Sequence, residues 1–142
     1  MIVAGLFALL QATAPDGALM EEGVWLGRLS TAVAICREYD YTVDESAARA
    51  VVDDFEARAS LSGWMSSDFQ EVYGQGQELE RSDMKIQFDL DGLSRSQIQR
   101  AYKDLLTATK ARCGVHGERY PTVISNVQEG ERSVDAHFRS VR

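Results

Sequence analysis

Only two prolines occur in this chain, Pro15 and Pro121. The long stretch between them contains no residue that lacks a backbone N–H, so all of it is free to be helical. Apolar residues there recur at spacings of three and four, which builds one buried face per helix. Leu19, Leu26, Leu29, Val33 and Cys36 form the first stripe, over residues 19–38. Asp44 can accept from the open amides of a second helix, which carries Ala48, Val51, Val52, Phe55 and Ala59 to about Ser60. Gly63 suits the left-handed position after it.

A third helix is expected from Ser66 or Ser67, with Ser67 and Gln70 at capping-box spacing. Its apolar face reads Phe69, Val72, Tyr73 and Leu79, and Gly74 and Gly76 imply a close helix crossing or a break. Residues 84–90 alternate apolar and polar, a strand pattern whose expected partner is Thr122-Val123-Ile124. A lone ribbon of that kind is marginal, so the segment is expected as an extended linker. The fourth helix opens on a Ser94–Gln97 capping box. It carries Ile98, Ala101, Tyr102, Leu105, Leu106, Thr109 and Cys113, and Gly114 is its expected stop. Residues 128–142 are polar and read as a frayed or weakly helical tail. The expected fold is all-α: a compact bundle of about four main helices spanning 15–127.

Cys36 and Cys113 lie on the apolar stripes of the first and fourth helices, near their ends, and no third cysteine competes. In an oxidising compartment the two are expected to form one disulfide. Closing a loop of roughly 80 residues would stabilise the fold by about 4–4.5 kcal/mol through chain entropy. In a reducing compartment they would be two buried thiols acting as small apolar residues.

The compartment rests on residues 1–14. The apolar run Ile2 to Leu10 is followed by Ala12-Thr13-Ala14 and the turn Pro15-Asp16-Gly17. That is the layout of a secretory signal with an A-x-A-like cleavage site, although no Lys or Arg marks its start. The alternative is an apolar N-terminal helix buried in the fold. A run of ~14 residues at ~1.5 Å each falls short of a ~30 Å hydrocarbon core, so no stable membrane span is expected in the mature chain. The protein is expected to be exported, to the periplasm or beyond.

Fifteen Lys and Arg against 22 Asp and Glu give a net charge of −7. With no basic stripe to displace counterions from phosphates, nucleic acid is not an expected partner. Candidate chemistry is sparse. Residues 87–92, Gln-Phe-Asp-Leu-Asp-Gly, resemble half a calcium loop, but Ile98 stands where the bidentate Glu belongs. An ordinary turn is the expectation, and no metal or cofactor is implied. His116 is expected just past the fourth helix, where it would complement the helix dipole, and neither it nor His137 has zinc-ligand spacing. Asp53-Asp54-x-Glu56 and Glu78-x-Glu80 read as solvated carboxylates on polar helix faces. Tyr73-Gly74-Gln75-Gly76-Gln77 lacks the strand and the Lys of a phosphate loop.

No catalytic residue is expected, and the chain is read as non-enzymatic. Its expected role is protein–protein interaction, as an inhibitor, an immunity-type module or an envelope stress or accessory factor, with Trp25 and Trp64 as candidate surface anchors. Two alternatives differ in kind. A small-ligand carrier would need a cavity lined by Phe55, Phe69, Tyr73 or Tyr102. A hydrolase or metal enzyme would need a concave pocket joining His116 or His137 to an acidic cluster.

Overall fold

The computed structural model describes residues 17–86 and 89–141. In order these form α1 Gly17–Glu38, β1 Thr42–Val43, α2 Glu45–Leu61, α3 Ser66–Asp83, α4 Arg95–Arg119, β2 Ile124–Ser125 and α5 Val127–Ser140. The leader expected over residues 1–14 lies outside the described residues.

The apolar stripe of α1 is buried as its spacing requires, with Leu26, Leu29, Ala32 and Cys36 essentially inaccessible. The most extensive helix contact is between α1 and α3. It is possible because Gly27 and Gly76 face each other across the crossing. A Cβ on Gly27 would strike the Tyr73 carbonyl, and one on Gly76 would strike the Val24 carbonyl. Of the two expectations for this glycine pair, Gly76 serves a close crossing. Gly74 faces open space, and nothing in the structure explains it.

Helix α2 begins where Asp44 predicts. Its Oδ1 accepts from the Ala47 N–H at 3.0 Å, and Gly63 follows the helix with φ +90°. Phe55 is fully buried and packs edge-on to Trp64, with ring centroids 5.8 Å apart. The start of α3 differs from the Ser67–Gln70 expectation. The helix opens at Ser66, one of the two expected starts, but its cap is Met65, two residues before Ser67. The third helical position therefore falls on Asp68, whose carboxylate accepts from the Met65 N–H at 2.8 Å. Leu79, expected on the apolar face, is 46% exposed, because Val72, Gly76 and Glu80 form the buried line instead.

The Ser94–Gln97 capping box at the start of α4 is present in both directions. Gly114 does not end the helix, which continues to Arg119. Tertiary packing overrides the local stop: His116 and Gly117 are buried, and Gly117 lies against Val127 and Ile124. Ile98, near the start of the helix, is 38% exposed. Cys36 and Cys113 form a disulfide, with Cα atoms 5.9 Å apart.

That bond explains a second correction. Strand β2 pairs antiparallel with β1, Thr42 opposite Ser125 and Val43 opposite Ile124, not with the segment 84–90. The disulfide holds the ends of α1 and α4 together, so the segments leaving those helices meet. Asn126 adds a hydrogen bond from Nδ2 to Thr42 Oγ1 at 2.7 Å. The described residues of 84–90 form no strand and link α3 to α4. The polar segment after Gln128 takes the helical of its two expected forms. It packs along α4 through buried Val134 and the Lys110–Asp135 ion pair, with Gly130 against the Tyr41 ring.

Candidate functional site

Two places gather chemistry, and the first is inside the molecule. Glu80 on α3 is completely buried. Its Oε1 accepts from Arg28 Nη1 of α1 at 2.9 Å and from Arg112 Nη2 of α4 at 2.7 Å. Its Oε2 accepts from Arg112 Nε at 3.0 Å and from His116 Nε2 at 2.7 Å. Arg28 also reaches Asp83 at 2.8 Å. Three helices therefore contribute to one centre, and the bidentate Arg112 fork is the geometry that best stabilises a carboxylate. Because a carboxylate only accepts, His116 Nε2 carries the shared proton, and its buried Nδ1 has no partner.

Burial alone would raise the Glu80 pKa, but the hydrogen bonds from His116 and Arg112 outweigh it and hold the carboxyl down at about 2. Trp25 of α1 closes this centre. Its half-buried ring lies 4.4 Å from the Arg119 guanidinium, with Arg28 and Arg112 at 5.6 and 5.8 Å and the His116 ring edge-on at 5.8 Å. Guanidinium groups over an indole face gain both cation–π attraction and packing. Trp25 is thus engaged by the protein's own cations.

The second place is a surface groove of about 490 Å³ between α2 and α3. Trp64 and Phe69 form its aromatic wall, Met65 stands at its end, and Asp53, Glu56 and Ser60 line the α2 side. Trp64 is only 8% exposed, and its indole N–H is buried without a partner. Leu61 and Met65, by contrast, are 89% and 71% exposed. The wall is positioned by the tight turn between α2 and α3 and by the tilted Phe55–Phe69 and stacked Phe69–Tyr73 ring pairs.

The structure joins some of the residues singled out in the sequence and separates others. His116 meets Glu80 of the Glu78-x-Glu80 cluster, inside a helix rather than beyond its end. His137 lies elsewhere, exposed, with Nδ1 2.8 Å from the Ser133 carbonyl oxygen and its ring against Tyr39. Glu78 pairs with Arg81 at the surface, and Asp54 pairs with Arg58. Gln87 and Phe88 of the calcium-like segment lie outside the described residues, while Asp89 Oδ1 accepts from the Asp91 N–H and Gly92 has φ +78°, a turn. No metal-ligating group of three His, Cys, Asp or Glu exists among the described residues.

Glu80 was missed as a buried residue because its neighbours Glu78 and Arg81 are polar. The signal was its spacing: Val72, Gly76, Glu80 and Met84 recur every four residues, and all four are buried. Comparison with protein-family models, curated proteins and solved structures gives no match. No described helix is long and apolar enough to cross a membrane.

Proposed function

We propose that this is an exported, non-enzymatic protein that acts by binding another protein, and that its docking surface is the α2–α3 groove. The observation that carries this reading is the exposure of Met65 in the groove, and of Leu61 at the end of α2, next to the aromatic wall of buried Trp64 and partly buried Phe69. Exposed apolar side chains flanking an aromatic slot are what a partner would cover. Trp64 contributes as the wall of the groove rather than as a protruding anchor, and Trp25 is occupied by arginines. The disulfide supports an oxidising compartment and hence export.

The hydrolase alternative gains the His116–Glu80 pair but lacks access to it, since both side chains are fully buried. The carrier alternative is less well supported: Phe55, Phe69 and Tyr73 pack on one another, and the space that Phe69 lines is an open surface groove.

A photoreactive amino acid placed at Met65, and at exposed Glu118 as control, tests the docking surface in cells that export the protein. A protein adduct of defined mass at 65 alone is expected. No adduct at 65, or equal labelling at both positions, overturns the reading. Intact-mass analysis of the same material tests export, with loss of residues 1–14 and alkylation only after reduction expected. An uncleaved chain with two alkylatable thiols would sink that half.

A further inference from the structure

Among the charged side chains lining the groove, only Asp53 and Glu56 occur, and no Lys or Arg lines it. Both lie on the exposed face of α2. The other nearby carboxylates are already used: Asp54 and Glu22 bind Arg58, and Asp68 caps α3 through the Met65 N–H. Asp53 and Glu56 take part in no ion pair among the described residues. Two carboxylates with no ion pair among the described residues thus line the same groove as Trp64 and Phe69.

From this charge complementarity we infer that the occupant is a basic amphipathic segment of a partner protein. Its apolar side chain fills the slot between Trp64 and Phe69, and its Lys or Arg reaches Asp53 and Glu56. The inference rests on the docking function proposed above and names its partner class. Trp64 and Phe69 supply the apolar wall that the segment's apolar side chain would cover, while the Trp64 indole N–H lies beneath that wall and takes no part in the contact. The protein's net charge of −7 favours a basic partner over an acidic one at long range as well.

Titration calorimetry of the intact, oxidised protein provides the test, with an amphipathic Leu/Lys peptide and its Leu/Glu counterpart as probes. The Leu/Lys peptide is expected to bind at least about tenfold more tightly and to weaken as salt rises. The double variant Asp53→Lys/Glu56→Lys, both positions being exposed, is expected to fold normally and to reverse the preference. Met65→Ala is expected to weaken binding of the Leu/Lys peptide without changing the salt dependence. Equal affinity for the two peptides, absence of binding, or an unchanged preference in the double variant would overturn the inference. A position-65 adduct together with no charge preference leaves the docking function standing and removes only the basic partner. Failure of both experiments removes both.

Discussion

The two sides of α3 bury opposite kinds of group in opposite ways. Toward α1 and α4, the helix sinks the charged residue Glu80 into a buried centre, where two arginines and a histidine hydrogen-bond both carboxylate oxygens. Toward α2, it presents Phe69 and the neighbouring Met65 and Trp64 to a groove open enough for a partner. Charge is thus sealed within and apolar surface left accessible, the reverse of the usual partition. Each arrangement is tolerable for a stated reason. Glu80 has good geometry and charged partners on both oxygens, and the groove is small and flanked by the exposed carboxylates of Asp53 and Glu56. What the contrast teaches is that carboxylates on adjacent helices, Glu80 and Glu56, carry unrelated energetic roles although both read as solvated surface.

That contrast can be broken most strongly from the charged side. Replacing both cysteines by Ser removes the staple between α1 and α4, and a loss of about 4–4.5 kcal/mol is expected in urea unfolding, from a loop separation of 77 residues. Glu80→Ala strands Arg112 and leaves Arg28 with Asp83 alone, the two guanidinium side chains being 18% and 16% exposed. A loss of about 3–4 kcal/mol is expected, at the low end of the range for a broken buried ion pair plus some relief through rehydration of the arginines. An effect under about 1 kcal/mol would show that Glu80 is solvated in solution.

Acid sharpens the same distinction. The Glu80 carboxyl is held at about 2 against an ordinary value of 4.5, so between those values the unfolded chain binds the proton and the native one does not. The stability Glu80 contributes is complete above about pH 5 and is lost as pH falls through 4 toward 2. The pH slope of unfolding free energy in that window should flatten in Glu80→Gln. On the groove side the expected stability changes are smallest. Glu56→Ala, Leu61→Ala and Met65→Ala should each stay within about 0.5 kcal/mol of the parent, since surface substitutions away from specific features do little. A larger loss in any of them would mean that the groove is part of the core rather than a place for a partner.

Much of the architecture was legible in residue spacing. Leu26, Leu29 and Cys36 on one stripe, and Leu106, Thr109 and Cys113 on another, put both sulfurs inside and facing each other, as found. Asp44, Gly63 and the Ser94–Gln97 pair are local signals and acted locally. Gly114 failed as a stop because a glycine ends a helix only where the chain has nothing to gain by continuing. Here His116 and Gly117, one turn further, had buried places to occupy. The groove was illegible for a related reason: the sequence offers Trp64 as an anchor and Phe69 as part of an apolar helix face, and only the gap between α2 and α3 joins them into one wall.

By itself, then, the sequence determined an all-α chain, where most helices begin, which face of each is buried, and that its two cysteines could pair. Those properties follow from backbone sterics, helix periodicity and side chains within a turn or two of one another. Only the tertiary structure decided that α4 passes Gly114, that β2 pairs with β1, that Glu80 is enclosed by Arg28, Arg112 and His116, and that Asp53 and Glu56 border an open aromatic slot. The β1–β2 pair and the partners of Glu80 lie tens of positions apart and are brought together by the Gly27–Gly76 crossing and the Cys36–Cys113 bond. The two sides of the groove are joined by the turn at Gly63, and the end of α4 is held by its packing on Val127 and Ile124. Whether a carboxylate is solvated or buried is a property of its surroundings, and those surroundings come from other helices.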